Sequence, residues 1–351
     1  LTEEDARIPI DVDNTCIGRG KNCMNLTRYS ARQKLNREAV MLGKGRGFFY
    51  EITHNWVLYL MTLPAICFFI VFSYLPMVGV YYAFIDYNYI GGLFRSPFVG
   101  LNNFKFFFSG GLDAPVWYLT RNTVLYNLVF IFLGNILQCI LAIMLTEIIG
   151  KMFRRVSQSL LLLPYFVSYV IVGTIAYNLF NTEVGSFNTL LKALGQEPVN
   201  MYMKTAAWPF IVTAFYLWKG LGYGCIVYLA SMMGFDREIY ESAKMDGCNI
   251  FKEIWYITLP LLKPTFIMLV LFSLGGIMRG QFELFYQLIA RNGQLFKMTD
   301  VIDTYIYRSL TINFNIGLST AAGLYQSIFG LFTVLGVNAL IRRKNPDNAL
   351  F

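Results

Sequence analysis

A few water-seeking side chains interrupt long apolar runs in this sequence, where such groups are costly and commonly mark a pathway or a paired contact. Lys219 lies in one run; Arg279, Gln281, Glu283 and Gln287 lie in another. On the first, Tyr216, Lys219, Gly220 and Tyr223 recur along one helical stripe. Two rings, a cation and a gap suit a ring-shaped polyol, whose apolar face stacks while its hydroxyls seek donors. Arg279 and Glu283 stand four residues apart, where opposite charges on one helix meet, so an intramembrane ion pair is expected. If Arg279 turned to the cavity instead, it and Lys219 would favour an acidic solute. This is the chemistry of binding. The single histidine, His54, reads as an interfacial residue, and the six cysteines show no metal spacing, so no nucleophile or metal set converges.

A second constellation is "REIYESAKMDGCNIFKEIWYITLPLLKP", running from Arg237 to Pro264. From Asp236 to Met245 the spacing predicts a short helix with Ile239, Tyr240 and Ala243 on one side and Arg237, Glu241 and Lys244 on another. Gly247 stands where a helix needs a cap that tolerates a left-handed backbone. Asn249 can cap a second helix, Ile250 to Ile257, which Pro260 and Pro264 end before the next apolar run. A solvated loop does not account for two hydrophobic faces. A helix, turn, helix knob for a soluble partner does.

The elements that must hold these groups are membrane spans. The 351 residues are 56% hydrophobic and 14% charged, too few charges to cover a soluble globule of this size. Runs near Trp56 to Ile85, Asn122 to Ile149, Gln158 to Phe180, Ala206 to Met233, Thr265 to Ile289 and Gly317 to Leu340 are long enough to cross, since about 20 apolar residues suffice. An all-α integral membrane protein of six transmembrane helices is expected. Of the 29 Lys and Arg residues, nineteen fall in the N-terminal tail, the second and fourth connections and the C-terminus. Positive residues in short loops stay cytoplasmic, so both termini are placed there, with residues 1–55 and 345–351 as tails around a 56–344 membrane domain. Residues 1–23 read as an extension ahead of Met24, and nothing there resembles a signal peptide. Cys16 and Cys23, the two cysteines near enough to pair, sit on the reducing side. The net charge of +8 needs no nucleic acid, because the cytoplasmic leaflet is anionic lipid.

The spacing of the 237–264 stretch resembles the EAA motif of binding-protein-dependent ABC importer permeases. It is carried by Glu241, Ser242, Ala243, Gly247, Ile257, Leu259 and Pro260, with Asp246 in the adjoining "MDG". Ser242 departs from the motif's alanine, small for small. "FVGLNNFKFFF", "RRVSQSLLLLPYFVSYV", "LWKGLGY" and "DVIDTYIYR" are similar to the oligosaccharide and polysaccharide branch of the maltose-type permeases, and "RNGQ" replaces that type's Gly-Gly-Pro.

The resemblance implies a type I importer permease, not an enzyme. Its partners would be a second homologous permease, two cytoplasmic ATPase subunits, an extracytoplasmic solute-binding protein, membrane lipid and a sugar, in a bacterial cytoplasmic membrane. The EAA helices would dock on the ATPase. Laid on the family pattern, Tyr216, Lys219, Gly220, Tyr223, Leu274, Ile277, Met278 and Gln281 fall where the sugar site is lined. No cofactor is expected on this chain: "GKGRG" at 43–47 lacks the Ser or Thr of a phosphate loop, which leaves ATP and Mg to the ATPase subunits. A permease of the same kind for a non-carbohydrate solute is the alternative. An ion-coupled carrier would need a relay of intramembrane carboxylates, and besides Glu147 near a span end only Glu283 lies well inside one.

Overall fold

The computed structural model describes residues 54–111, 114–289 and 292–344. The tails, Cys16, Cys23 and the 43–47 turn lie outside the described residues. The chain forms two units, Leu1–Pro76 and Met77–Phe351. Described residues of the first unit begin the helical run α1, Trp56–Phe84. The second unit is helical, and its described residues hold no strand beyond an isolated bridge of Ile85 with Phe98.

Helix α2, Pro115–Thr146, is the central rod of the second unit; Pro115 opens it at a position where a missing N–H costs nothing. Then come α3, Lys151–Phe166, α4, Tyr169–Phe180, and a short amphipathic helix α5, Ser186–Ala193, stopped by left-handed Gly195. Helix α6 is Trp208–Met233 and α7 is Arg237–Met245. Helix α8, Ile250–Leu274, is followed by α9, Phe282–Ile289, α10, Ile302–Thr311, and α11, Ile316–Lys344. Five helical runs are long and apolar enough to cross a membrane, and α3 with α4 supplies a sixth if that bent pair is one span.

The spans differ from the sequence reading at two places. The third is broken: α3 and α4 meet at 92° because Val167 and Ser168 are both extended. The fifth begins earlier and ends sooner than expected. Helix α8 runs without a stop from Ile250 through the prolines, and its N–H-less Pro260 is absorbed by a π-helical turn, Ile254–Thr258, that widens the ladder just before it. It ends at Leu274, and residues 275–281 are non-helical before α9 starts. The second short helix expected after Asn249 is therefore the first part of a span.

Small residues let the helices approach closely, as packing in lipid requires when burial of apolar surface supplies little drive. A Cβ on Gly222 of α6 would overlap the Leu161 carbonyl of α3, and one on Gly173 of α4 would press on the Gln287 backbone of α9. One apolar cluster ties α2 to α4, α6 and α9 through Phe130, Val172, Val212 and Phe285. At the other end of α2 a second cluster joins Ile143, Tyr228 and Leu262 with Ile254 and Leu259 packed against it. That cluster connects the start of α8 to the rest of the bundle.

Candidate functional site

The α7 unit is built almost entirely from its own sequence. Asp236 caps its N-terminus, its side chain accepting the Glu238 N–H at 3.1 Å. At the other end Cys248 N–H bonds the Ala243 carbonyl at 3.0 Å and Gly247 N–H bonds Lys244 at 3.1 Å, a double closure that needs a left-handed residue between. Gly247 supplies it with φ +73°, and a Cβ there would meet nothing within 4 Å. The glycine therefore answers to backbone conformation, with no close packing inside the chain. Asn249 caps α8 by accepting Lys252 N–H at 2.9 Å.

What the unit presents is unfilled. Met245 is 88% exposed and Phe251 77%, with Ile239 and Ile250 also exposed. A polar cavity of about 360 Å³ lies between α7 and the adjoining ends of α2, α3 and α6, lined among others by Glu147, Arg154, Arg237, Glu241, Lys244 and Glu253. None of these charges pairs within 4.0 Å; among the described residues the ion pair is Arg308 with Asp300. Burial pushes the Glu147 carboxyl up, the Glu253 charge adds to this, and Lys244 opposes it. Ser242 donates to the Ile239 carbonyl at 3.0 Å, Ile257 is half-buried, Leu259 packs into the cluster, and Asp246 and Pro260 are exposed.

Two cavities of about 570 Å³ flank the seam between α2 and α6, and chemistry separates them. One is largely apolar, walled by Leu125, Val129, Leu133, Phe210, Ala214 and Leu217, and its Arg121 and Asn122 already donate to the Lys297 carbonyl. The other offers Asn127, Asn135, Gln138, Ser273, Arg279 and Gln281 beside Tyr216 and Tyr223. The second offers partners to buried hydroxyl groups, each of which must find one. Tyr216 stacks on Phe130 with ring centroids 3.9 Å apart, and Tyr223 on Tyr165 at 4.5 Å. The amides of α2 were missed in the sequence, although Asn127, Asn135 and Gln138 repeat at helical spacing within an apolar run.

Lys219 is elsewhere. Its ammonium is buried and donates to the carbonyls of Tyr165 at 2.7 Å and Val167 at 2.5 Å, the unpaired carbonyls at the end of α3. The Tyr169 ring lies 4.7 Å away and covers it further. The residue read as a solute ligand holds the bend between α3 and α4. Gly220 has open space where a Cβ would go but does not line the polar cavity, and Ile277 and Met278 are buried.

The expected Arg279 to Glu283 pair also fails, because the helix that would align them is absent: Arg279 lies in the 275–281 break and α9 starts at Phe282. Non-helical backbone inside a membrane bundle persists only where its polar groups are satisfied by protein. Asn127 donates to the carbonyls of Ile277 and Arg279 at 2.9 and 3.0 Å, and Gln326 to that of Met278 at 2.6 Å. Gly280 N–H donates to the Asp303 carboxylate at 2.5 Å. Three helices thus hold one break, which carries Arg279 and Gln281 at the cavity wall.

The family model described as "Binding-protein-dependent transport system inner membrane component" matches residues 131–346, more than half of the chain. The chain belongs to this family. It is 33% identical to Protein LplB of Bacillus subtilis over 91% of its own length and 98% of that protein's. It is 32% identical to the polygalacturonan/rhamnogalacturonan transport system permease YteP of the same organism, covering 86% and 92%. Among solved structures it resembles a bacterial alginate ABC transporter in complex with an alginate pentasaccharide-bound periplasmic protein, with TM-score 0.74 and 30% identity over 84% of this chain and 97% of that one. The all-α importer-permease fold read from the sequence is the fold observed.

Proposed function

We propose that this permease carries an oligosaccharide released from a polysaccharide, and an acidic one in particular, across a bacterial cytoplasmic membrane. The observation that carries the reading is the amide-lined cavity, which holds aromatic rings together with Arg279, a cation with no carboxylate within 4.0 Å among the described residues. Permeases for polygalacturonan and alginate, both similar to this chain, support the solute class. Tyr223 and Arg279 are exposed on the cavity side, where a second homologous permease would complete the wall.

The 236–264 unit is the handle that docks on the ATPase, whose two subunits bind ATP and Mg. Exposed Met245 and Phe251 offer apolar surface, and the unpaired charges around Glu241 offer counterparts for a charged cleft. Because Ile254 and Leu259 of α8 pack in the cluster that joins α2 and α6, a pull on the handle moves helices that line the cavity. Closure of the ATPase dimer would turn the cavity toward an external binding protein, and hydrolysis would reset it, with both termini cytoplasmic. The differential affinity that drives the switch resides in the ATPase, since a ligand shifts an equilibrium only by binding the two states unequally.

Uptake in cells tests both halves. Glu241→Ala is expected to abolish uptake of every solute, whereas Arg279→Gln lowers uptake of an oligouronate about tenfold more than that of a neutral oligosaccharide, as loss of one charged hydrogen bond implies. Unchanged uptake in the first variant defeats the coupling role, and equal losses in the second defeat the acidic solute.

A further inference from the structure

Arg279 and Gln281 are neighbours of Gly280 in a non-helical stretch, so their side chains stand wherever that backbone is held. Three of its carbonyls are held by amides, Asn127 and Gln326, and while the N–H groups of Gly276, Ile277 and Arg279 bond carbonyls three residues back, that of Gly280 goes to a carboxylate on another element, Asp303 of α10. The same oxygen, Oδ2, also accepts from Gln326 Nε2 at 3.0 Å, so one atom ties α10 and α11 to the break. The approach is close: a Cβ on Gly280 would come within 2.7 Å of that oxygen and 2.9 Å of a Val301 methyl.

Asp303 itself is on firm ground. Ile302 N–H donates to Thr123 Oγ1 of α2 at 3.0 Å, and Asn122 of α2 donates to the Asp300 carbonyl at 3.0 Å. Asp300 in turn pairs with Arg308 and accepts the Thr304 hydroxyl at 2.6 Å, which fixes the first turns of α10. The helix is thus anchored to the rod that supplies the cavity's amides. Asp303 does not line the cavity; it reaches the wall through the Gly280 backbone and Gln326, and its charge also acts on Arg279.

We propose that Asp303 is a positioning residue for solute transfer: by holding the Gly280 N–H it fixes the backbone between Arg279 and Gln281 and so sets where these two side chains meet the solute. This rests on the reading of the polar cavity as the solute path. A charge-assisted hydrogen bond to a carboxylate is among the stronger ones available, and a wall residue displaced by its loss no longer matches the solute.

The test uses the complete transporter with its binding protein in proteoliposomes, supplied with an oligouronate, and reads solute carried per ATP hydrolysed. Asp303→Ala is expected to lower that ratio about tenfold, the worth of one charged hydrogen bond, while binding-protein-stimulated hydrolysis stays within about twofold. Asp303→Asn keeps an oxygen that can accept both Gly280 and Gln326 but loses the charge, and it is expected to restore the ratio in part. A merely structural role would lower both rates and the yield of intact complex in parallel, and that outcome overturns the proposal, as does an Asn variant no better than Ala. Gln281→Ala with Arg279→Ala serves as the control on the path: if that double variant leaves the ratio unchanged the cavity reading fails, whereas a fall there with an intact ratio in Asp303→Ala refutes only the clasp.

Discussion

The α7 unit beside the C-terminal end of α2 and the polar cavity along its middle are held together in opposite ways. The α7 unit closes on itself: Asp236, Gly247 and Asn249 satisfy backbone groups within a few residues of their own positions. The cavity wall is closed from a distance, by Asn127, Asp303 and Gln326 reaching backbone that lies tens of residues away, and Lys219 does the same at the bend of α3. A self-closed unit can be moved as a body with its surface left free for a partner. A wall closed by other helices changes shape when those helices move, which is what a gated path requires.

The largest expected effect breaks this comparison at the bend of α3. Lys219→Met removes a buried ammonium that satisfies two carbonyls, at a cost of about 3 kcal/mol or more from two charged hydrogen bonds. Thermal unfolding of the purified complex should show a large loss of stability for all solutes alike, whereas a solute ligand would show a loss of transport with stability kept. Gly247→Ala comes next: a side chain at φ +73° costs about 1–2 kcal/mol, and with no neighbour to clash with, all of it is backbone strain at the handle. Stimulated ATP hydrolysis and uptake should fall together, and a normal coupled rate would show that the left-handed turn is dispensable. Ser242→Ala is the smallest. It loses one bond to the Ile239 carbonyl on an exposed face and should leave uptake and stability within about 0.5 kcal/mol of the parent.

The same contrast explains what could be read in the sequence. Helix caps and left-handed turns are local, so the bounds of α7, its Asp236 start and the roles of Gly247 and Asn249 were legible from residue types alone. Apolar runs marked the spans for the same reason. The interruptions were not legible. Ser168 caps α4 and Gly275 follows the last helical residue of α8, but whether such residues end a span depends on partners such as Lys219 and Asn127, far away in the chain. A charged residue in a span signals that something polar is near, and the sequence does not say whether it is solute or unpaired backbone. That ambiguity put Lys219 in the path and left the α2 amides out of it.

In the proposed function the handle drives the cycle and the cavity carries the cargo. This division of roles is tested most directly by measuring, in one proteoliposome preparation, ATP hydrolysis and oligouronate import for Gly247→Ala and Gln281→Ala. Gly247→Ala is expected to lower both rates and keep their ratio, while Gln281→Ala lowers the solute carried per ATP. If the two variants alter the ratio equally, or if the handle variant lowers import alone, the assignment of the two regions is contradicted.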